Sequence, residues 1–366
     1  MRPERSAGHL PLPGRPSPSG FFPLVTTLIT VFSMGLGGLL IQPRLVERRD
    51  AVGDEIVLTA SEVKALPEHM LAVVLDRSAG LDHQDFRYQL LQLVMERSGQ
   101  SYVLGLSEQT TSQDDAIAAL EHGGVKHGRN PLAISVGVYG ANAELNRRLQ
   151  PVPIPITGGL LGLRAGWTHR NEQDTLASIQ TLEDLREITL LQGLGWSDVE
   201  IFDASRLRTF TARSDELLRL VENRRVQLFP RGIAELEHEA PMVSSTTTST
   251  VLDDHLLIAY PFAGFFYVSR SNPLLAEAIR VGFERAIEDG SYQRLVDRMI
   301  FTPWLRDQLK LENRSVVVVL NPAAATALMD VDPRHWMVPW GGLLNGGIQR
   351  GSDLCQTPAL KLLCTG

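Results

Sequence analysis

Residues 187–212 have the sequence EITLLQGLGWSDVEIFDASRLRTFTA, and this stretch decides the class of the fold. The apolar run EITLLQ predicts a buried strand, the Gly193-Leu194-Gly195 turn ends it, and SDVEIFDAS predicts a short helix. RLRTFTA predicts the next strand. A strand, helix, strand order favours parallel pairing with a crossover helix, so the stretch predicts an α/β layer.

The alternation continues toward the C-terminus. A helix capped by Ser214, the strand VQLFP (226–230) and the helix IAELEHE (233–239) follow, and Thr181 caps a short helix before the first strand. Together these elements form a β-α-β-α-β-α unit of about 60 residues, which is the size of a lobe and too small for a whole enzyme.

An earlier stretch, residues 68–124, has the same order. Its predicted strands and helices are LAVVLD (71–76), DFRYQLLQLVMERSG (85–99), YVLGLS (102–107) and SQDDAIAALEHGG (112–124). The Pro and Gly spacing of VPIPITGGLLGLRAGW (152–167) predicts an extended segment that crosses between the two series. After a polar tract (242–251), HLLIAYPFAGFFYVSR (255–270) predicts two strands.

Two helices close this part of the chain. Asn272 and Pro273 start the amphipathic helix LLAEAIRVGFERAIED, Gly290 ends it, and Ser291 caps SYQRLVDRMIF. The remaining tail contains VVVVL (316–320), a Pro and Trp segment and both cysteines.

This order of elements resembles the type 2 periplasmic solute-binding proteins, in particular the branch with amino-acid-binding domains. The resemblance covers about residues 68–310 and depends on the joint order of several stretches. These are PVPIPITGGLLGLR, TLEDLREITLLQGLGWSDVEIF, SDELLRLVENRRVQLFPRGIAEL and SNPLLAEAIRVGFERAIEDGSYQRLVDRM.

The resemblance implies an α/β fold of two lobes, joined by a two-stranded hinge, that close on a small ligand. Lobe 1 would comprise residues 68–165 and 262–310, lobe 2 residues 180–258, and the C-terminal extension residues 311–366. It also implies a non-enzymatic monomer that captures a small polar metabolite, an amino acid or related carboxylate, for an inner-membrane permease or a sensor. The alternatives are an enzyme on the same two-lobe fold and a degenerate interaction module that binds no solute.

One element of the amino-acid binders is missing. Their Thr-x-x-Arg element, whose Arg holds the ligand carboxylate, would lie in NPLAISVGVYGANAELNRRLQPV, where Arg147 and Arg148 are out of pattern.

The first 42 residues predict export. A positively charged leader precedes the uncharged run from Phe21 to Ile41, so residues 1–42 are either a cleaved signal or a retained membrane anchor. Cleavage is favoured because Gly, Pro, Ser and Thr make the run only moderately apolar. Residues 43–67 would be a linker, and the protein would be periplasmic or otherwise extracytoplasmic.

Composition and the remaining motifs exclude several functions. The net charge of -7 without a basic stripe argues against a nucleic-acid partner. In an exported protein Cys355 and Cys364 predict a disulfide rather than a metal site. The histidines show no metal spacing and no nucleophile elbow occurs, so we expect no metal, no cofactor and no catalytic residue.

The turn at 193–198 is the first candidate binding site. Backbone amides and a helix N-terminus attract anions, but a dinucleotide fingerprint needs a third glycine where this chain has Asp198. Trp196 would stack on a ligand and Ser197 would bind it. The alternative is a capped helix with Ser197 as N-cap and Trp196 in the lobe core.

Charged residues at strand ends are the other candidates. Arg164, at the crossing between lobes, could bind a carboxylate in two-pronged fashion. Arg231 follows a strand of lobe 2, at the edge where open α/β sheets bind ligands. Asp76 and Arg77 lie at the end of the first strand, at the equivalent edge of the lobe 1 sheet. The alternative for each arginine is an ion pair with a neighbouring acid.

Overall fold

The computed structural model describes residues 56–77, 81–126 and 132–364. The predicted export segment and most of the linker lie outside these residues. Within them, no helix combines the length and the apolar character that crossing a membrane requires.

The first lobe is built on a mixed six-stranded sheet. Its strand order is β1-β3-β2-β6-β14-β7, with β1, β3, β2 and β6 parallel and β14 antiparallel to both of its neighbours. The strands are β1 (Val57–Leu58), β2 (Leu71–Arg77), β3 (Tyr102–Thr110), β6 (Val136–Gly140), β7 (Gln150–Val152) and β14 (Gly264–Val268). A separate ribbon pairs β4 (Val125–Lys126) with β5 (Leu132–Ala133).

The second lobe has a sheet of order β11-β8-β13-β15, with β12 also paired to β8, and a parallel pair of β9 and β10. These strands are β8 (Leu163–His169), β9 (Thr189–Gly193), β10 (Arg208–Ala212), β11 (Phe229–Gly232), β12 (Thr250–Leu252), β13 (Leu256–Ala259) and β15 (Ser315–Val318). Because β8 and β15 belong to this sheet, it takes in residues at the end of the predicted lobe 1 and at the start of the predicted extension.

Helices cover both sheets. In the first lobe they are α1 (Ala60–Ala65), α2 (Phe86–Ser98), α3 (Gln113–Glu121), α4 (Ala143–Arg148), α10 (Pro273–Glu288) and α11 (Ser291–Met299). In the second lobe they are α5 (Gln173–Ala177), α6 (Leu182–Leu185), α7 (Asp198–Ala204), α8 (Leu217–Glu222) and α9 (Leu236–Thr246). The last part of the chain contains α12 (Pro303–Leu309), α13 (Ala324–Ala327), α14 (Trp340–Leu344) and α15 (Gly351–Leu354).

Local sequence explains the two longest helices. Asp85 caps α2 and Gly99, with φ +78°, ends it, while Asn272 caps α10 and Pro273 occupies its first position. The two helices pack closely at Gly282, where a Cβ would lie 1.9 Å from the carbonyl oxygen of Val94. The predicted strand and helix order around residues 71–121 is confirmed.

The strand β11 differs from its prediction. VQLFP predicted a strand at 226–230 that continues the parallel series. Leu228 does form a parallel bridge with Leu190 of β9, but the strand β11 begins at Phe229 and runs antiparallel to β8. Pro230 has no backbone N–H to donate, and it is accommodated because β11 is an edge strand. The helix that follows also starts later than predicted and continues through Pro241 into the polar tract.

Two segments connect the lobes beside each other. Residues 153–162 lead from β7 to β8, and residues 260–263 lead from β13 back to β14. Tyr260 N–H donates to the Gly162 carbonyl oxygen at 3.0 Å, and Ile156 N–H donates to the Gly264 carbonyl oxygen at 3.0 Å. We call these two connections the crossing segments; they form the predicted two-stranded hinge.

The tail after β15 returns across the molecule. Asn146 of α4 donates to the Ala327 carbonyl oxygen at 2.9 Å, so the tail contacts the first lobe. Met337 N–H then donates to the Gly158 carbonyl oxygen at 2.9 Å on a crossing segment. Gly351 N–H donates to the Arg314 carbonyl oxygen at 2.8 Å beside β15. The tail thus contacts both lobes and the crossing segments between them.

The end of the tail is cross-linked. Cys355 and Cys364 form the disulfide that the sequence predicts, and it closes a loop around the last 3₁₀ helix, Pro358–Cys364.

Candidate functional site

A cavity of about 550 Å³ lies between the two lobes. Phe86 and Tyr139 come from the first lobe, Arg231 and Glu235 from the second, and Thr157 from a crossing segment. This position is the one that the two-lobe interpretation predicts for a ligand.

Arg231 lines the wall formed by the second lobe, but its charge is already matched. Its Nε donates to Glu239 Oε1 at 2.6 Å, and its Nη2 donates to Glu235 Oε1 at 2.9 Å. Glu235 is the N-cap residue of α9 and Glu239 lies one helical turn later, so both carboxylates face the guanidinium. Burial would lower the pKa of Arg231, but the two carboxylates raise it, and the side chain stays charged.

Trp196 supports this arginine. The Arg231 guanidinium carbon lies 4.7 Å from the centre of the Trp196 indole ring, and the indole stacks on Phe229 at 6.2 Å. The structure therefore places Trp196 behind Arg231, where it fixes the guanidinium.

Arg164 is buried in the second lobe and is absent from the cavity wall. Its Nη2 lies 2.7 Å from Asp198 Oδ1, and its Nη1 lies 3.3 Å from Glu235 Oε2. Burial would lower the pKa of Arg164, but Asp198 foremost among its neighbours raises it above its usual value. Arg164 thus forms an ion pair with a neighbouring acid, which is the alternative given in the sequence analysis. The pair lies in the interior of the lobe and not at the surface.

Asp198 and Ser197 have different surroundings. Asp198 is 6% exposed and accepts a short hydrogen bond from the Tyr260 hydroxyl in addition to the Arg164 contact. Its carboxylate points into the lobe and away from the turn. Ser197 is exposed and is the N-cap residue of α7, but its side chain makes no capping hydrogen bond.

On the first lobe, Asp76 lines a smaller cavity of about 150 Å³. Tyr139, Val138 and Arg87 line both cavities, so the smaller cavity is adjacent to the main one. The Asp76 carboxylate is 5% exposed and accepts a hydrogen bond from Thr111 Oγ1 at 3.1 Å. Burial raises the pKa of Asp76, and the Thr111 hydroxyl and Arg87 only partly oppose this effect.

Arg77 and Arg87 stand beside Asp76. The Arg77 backbone N–H donates to Ser107 Oγ at 3.0 Å, which anchors the end of β2 to β3. Arg87 binds the carboxylate of Asp85 through both Nε, at 2.8 Å, and Nη2, at 2.7 Å. The lining arginine of the first lobe is therefore also paired.

Sequence reasoning missed the two hydroxyl groups of the cavity. Tyr139 is 6% exposed and Thr157 is 5% exposed, and neither hydroxyl has a hydrogen-bond partner in the described part of the chain. Buried polar groups normally have partners, so unpaired groups in a cavity wall point to a bound polar molecule. No motif in GVYG or PIPITGG distinguishes these two residues from ordinary core positions.

Glu235 and Glu239 were also missed. The one available signal is their position four and eight residues after Arg231, in RGIAELEHE, because this spacing places both acids on one face next to that arginine.

One cluster of potential metal ligands lies outside the cavity. Asp253, Asp254 and His255 place ligand atoms within 4.8 Å of one another. The Asp253 carboxylate already accepts from Leu256 N–H at 2.8 Å and lies 3.6 Å from the buried Arg314 guanidinium. This cluster therefore stabilises the start of β13.

Comparisons with known proteins give structural similarity alone. No family model and no curated protein matches the sequence. The chain is similar to amino-acid-binding proteins of ABC transporters in their solved structures.

Three of these structures represent the group. A putative binding component of an ABC transporter from Wolinella succinogenes, complexed with lysine, has 16% identity and a TM-score of 0.46 over 65% of this chain and 98% of its own. The ancestral amino acid-binding protein AncCDT-1, a precursor of cyclohexadienyl dehydratase, has 14% identity and a TM-score of 0.43 over 66% and 98%. The GluR0 ligand-binding core from Nostoc punctiforme, with L-glutamate, has 14% identity and a TM-score of 0.42 over 63% and 98%. Similarities at this level do not assign a ligand or an activity to this chain.

Proposed function

We propose that this chain is an extracytoplasmic solute-binding protein that captures a small polar metabolite between its two lobes. The observation that carries the proposal is the cavity of about 550 Å³, whose walls come from both lobes and from a crossing segment. Ligand pockets commonly have volumes of roughly 300–1,000 Å³, so a metabolite fits this space.

The arrangement of the cavity supports capture by lobe movement. A solute in this position contacts Tyr139 of the first lobe, Ile233 of the second lobe and Thr157 between them. Such a solute binds more tightly when the lobes are close together, and this difference in affinity shifts the population toward the closed form. A permease or a membrane sensor would recognise that form.

The partners of the cavity acids favour binding over catalysis. Asp85 and Glu239 are each held by an arginine, and Glu237 accepts a short hydrogen bond from Thr302. A carboxylate whose oxygens are already bound by protein groups is less available to act on a substrate.

The disulfide supports an extracytoplasmic location. Disulfides persist in oxidising compartments and are rare in the cytosol, and Cys355 and Cys364 are the two cysteines of the chain. We propose that residues 1–42 export the protein, either as a cleaved signal or as a retained anchor, and that it acts as a monomer.

A thermal-shift screen tests the proposal. The purified protein is heated with individual amino acids, polyamines and small carboxylates, and we expect at least one class to raise the melting temperature. The Thr157→Val variant removes a cavity hydroxyl that has no protein partner, so it should fold normally and lose most of that shift. If no compound raises the melting temperature, the proposed function is wrong.

A further inference from the structure

We infer that the cavity selects solutes with a protonated amine and excludes solutes whose main charged group is a carboxylate. This inference rests on the proposed function and names its substrate class. It depends on the charges that line the cavity, on the hydroxyls that lack partners and on the position of Asp76.

Among the described lining residues, the cavity offers no unpaired guanidinium to a carboxylate. Among the lining residues that the structure describes, the guanidinium groups are those of Arg87 and Arg231. Arg87 is bound through two nitrogens by Asp85, and Arg231 is bound by Glu235 and Glu239. A carboxylate ligand would have to displace one of these acids and leave it buried without a partner, which is unfavourable.

The remaining charge of the wall is negative. Four carboxylates, those of Asp85, Glu235, Glu237 and Glu239, face two guanidinium groups, which leaves an excess of two negative charges. Arg164 lies behind this wall, and its charge is matched by Asp198. A cleft with one sign of net charge between low-dielectric walls attracts ions of the opposite sign.

Asp76 gives the amine a specific position. Its carboxylate lines the smaller cavity, accepts a hydrogen bond from the Thr111 hydroxyl, and makes no ion pair among the described residues. Tyr139, whose hydroxyl has no partner in the described chain, lines the same cavity. An ammonium group there can donate to the carboxylate and to the hydroxyl, and both groups are then satisfied.

The rest of the solute contacts apolar side chains. The apolar side chains of Phe86, Ile156, Leu161, Met299 and Leu305 line the main cavity together with Tyr139. Thr157, whose hydroxyl has no partner among the described residues, lines the same cavity. We therefore expect a small amine with an aliphatic body and a second polar group within reach of Thr157.

Probes of equal length separate charge from size. Isothermal titration at low ionic strength would compare pentylamine with pentanoate, and cadaverine with glutarate. We expect each amine to bind at least tenfold more tightly than its carboxylate partner. Tighter binding of pentanoate or glutarate would overturn the inference and leave the proposed function standing, whereas no binding of any probe would overturn both.

Variants locate the amine. Asp76→Asn should weaken cadaverine binding at least tenfold, and Glu187→Gln, which removes an exposed carboxylate from the second lobe, should leave it unchanged. Tyr139→Phe provides an independent test if Asp76→Asn does not fold, because it removes a hydroxyl without a protein partner. Unchanged cadaverine affinity in the folded variants would overturn the assignment of Asp76 and Tyr139.

Discussion

Arg164 and Asp198 form a buried ion pair that joins the β8 strand to the first turn of α7, with Nη2 and Oδ1 2.7 Å apart. Both residues are predicted ligand contacts. In the structure they hold each other, and the guanidinium also lies 5.5 Å from the centre of the Tyr260 ring. The pair fixes the 193–198 turn against the sheet, so the residues shape the site without reaching the cavity.

Removing one partner of this pair should strongly destabilise the fold. Asp198→Asn leaves the Arg164 charge buried, and we expect the free energy of unfolding to fall by about 3–5 kcal/mol. Urea denaturation measures this loss. The control is Asp215→Asn, whose exposed pair with Arg213 at 3.2 Å contributes at most about 1 kcal/mol. A loss at Asp198 as small as that at Asp215 would show that the pair is not structural.

Tyr139 and Tyr267 should respond oppositely to loss of their hydroxyls. The Tyr139 hydroxyl has no partner in the described chain, so Tyr139→Phe should leave the free energy of unfolding unchanged or raise it, and should reduce solute affinity. The Tyr267 hydroxyl donates to Asn146 Oδ1 at 2.7 Å, so Tyr267→Phe should cost about 1 kcal/mol and leave affinity intact. Denaturation and titration of both variants measure these effects. Equal stability losses in the two variants would contradict the assignment.

Gly162 should not tolerate a side chain. A Cβ there would lie 2.1 Å from the Tyr260 carbonyl oxygen, so Gly162→Ala must push the two crossing segments apart. We expect a loss of about 1–3 kcal/mol of stability, as for other overpacked sites. Gly341→Ala is the matched control, because nothing lies within 4 Å of its Cβ and α14 should gain from alanine. Thermal unfolding of both variants tests the prediction. An equal melting temperature for Gly162→Ala and Gly341→Ala would refute it.

Amine binding should weaken in acid. Burial holds the pKa of Asp76 above its ordinary 3.8, so its carboxylate becomes neutral earlier than a free carboxylate as the pH falls. The free energy of unfolding should change in the opposite direction. Above this pKa the buried Asp76 charge lowers the stability of the fold, and protonation at lower pH removes that loss. Titration of cadaverine between pH 7 and pH 4 should show falling affinity, and Asp76→Asn should flatten the profile. A steep profile in that variant would assign the effect to another group.

The disulfide should stabilise the tail locally. Cys355 and Cys364 close a loop with a sequence separation of 9, for which loop entropy gives about 2–3 kcal/mol. Hydrogen exchange after mild reduction should therefore accelerate at residues 351–364 and remain slow in the β2 strand. Acceleration of both regions together would mean that the disulfide supports the whole fold.

The sequence predicts the elements whose signals are local. Apolar alternation and caps such as Asp85 and Asn272 fix the helices and strands of the first lobe within a few residues. The antiparallel pairing of β11 was not predicted, because its partner, β8, lies more than 60 residues earlier in the chain. No local sequence pattern indicates which strand lies at the edge of a sheet.

The site could be predicted only in position. Arg231 and Asp76 were predicted as ligand contacts because strand ends bind ligands in α/β sheets, and the structure places both in cavity walls. Their partners could not be found: Glu235 contacts Arg164 from 71 positions away, and the Tyr139 hydroxyl matters because no described group pairs with it. Such facts depend on packing between distant segments.

The tail places two indole rings against the crossing segments. A Cβ on Gly159 would lie 2.8 Å from Trp336 and 3.0 Å from Trp340, so both rings lie directly against the backbone that the proposed lobe movement would bend. The two indoles therefore provide an intrinsic fluorescence signal for the proposed movement. In a variant that keeps only these two of the five tryptophans, emission should change as a solute is added, without any attached label.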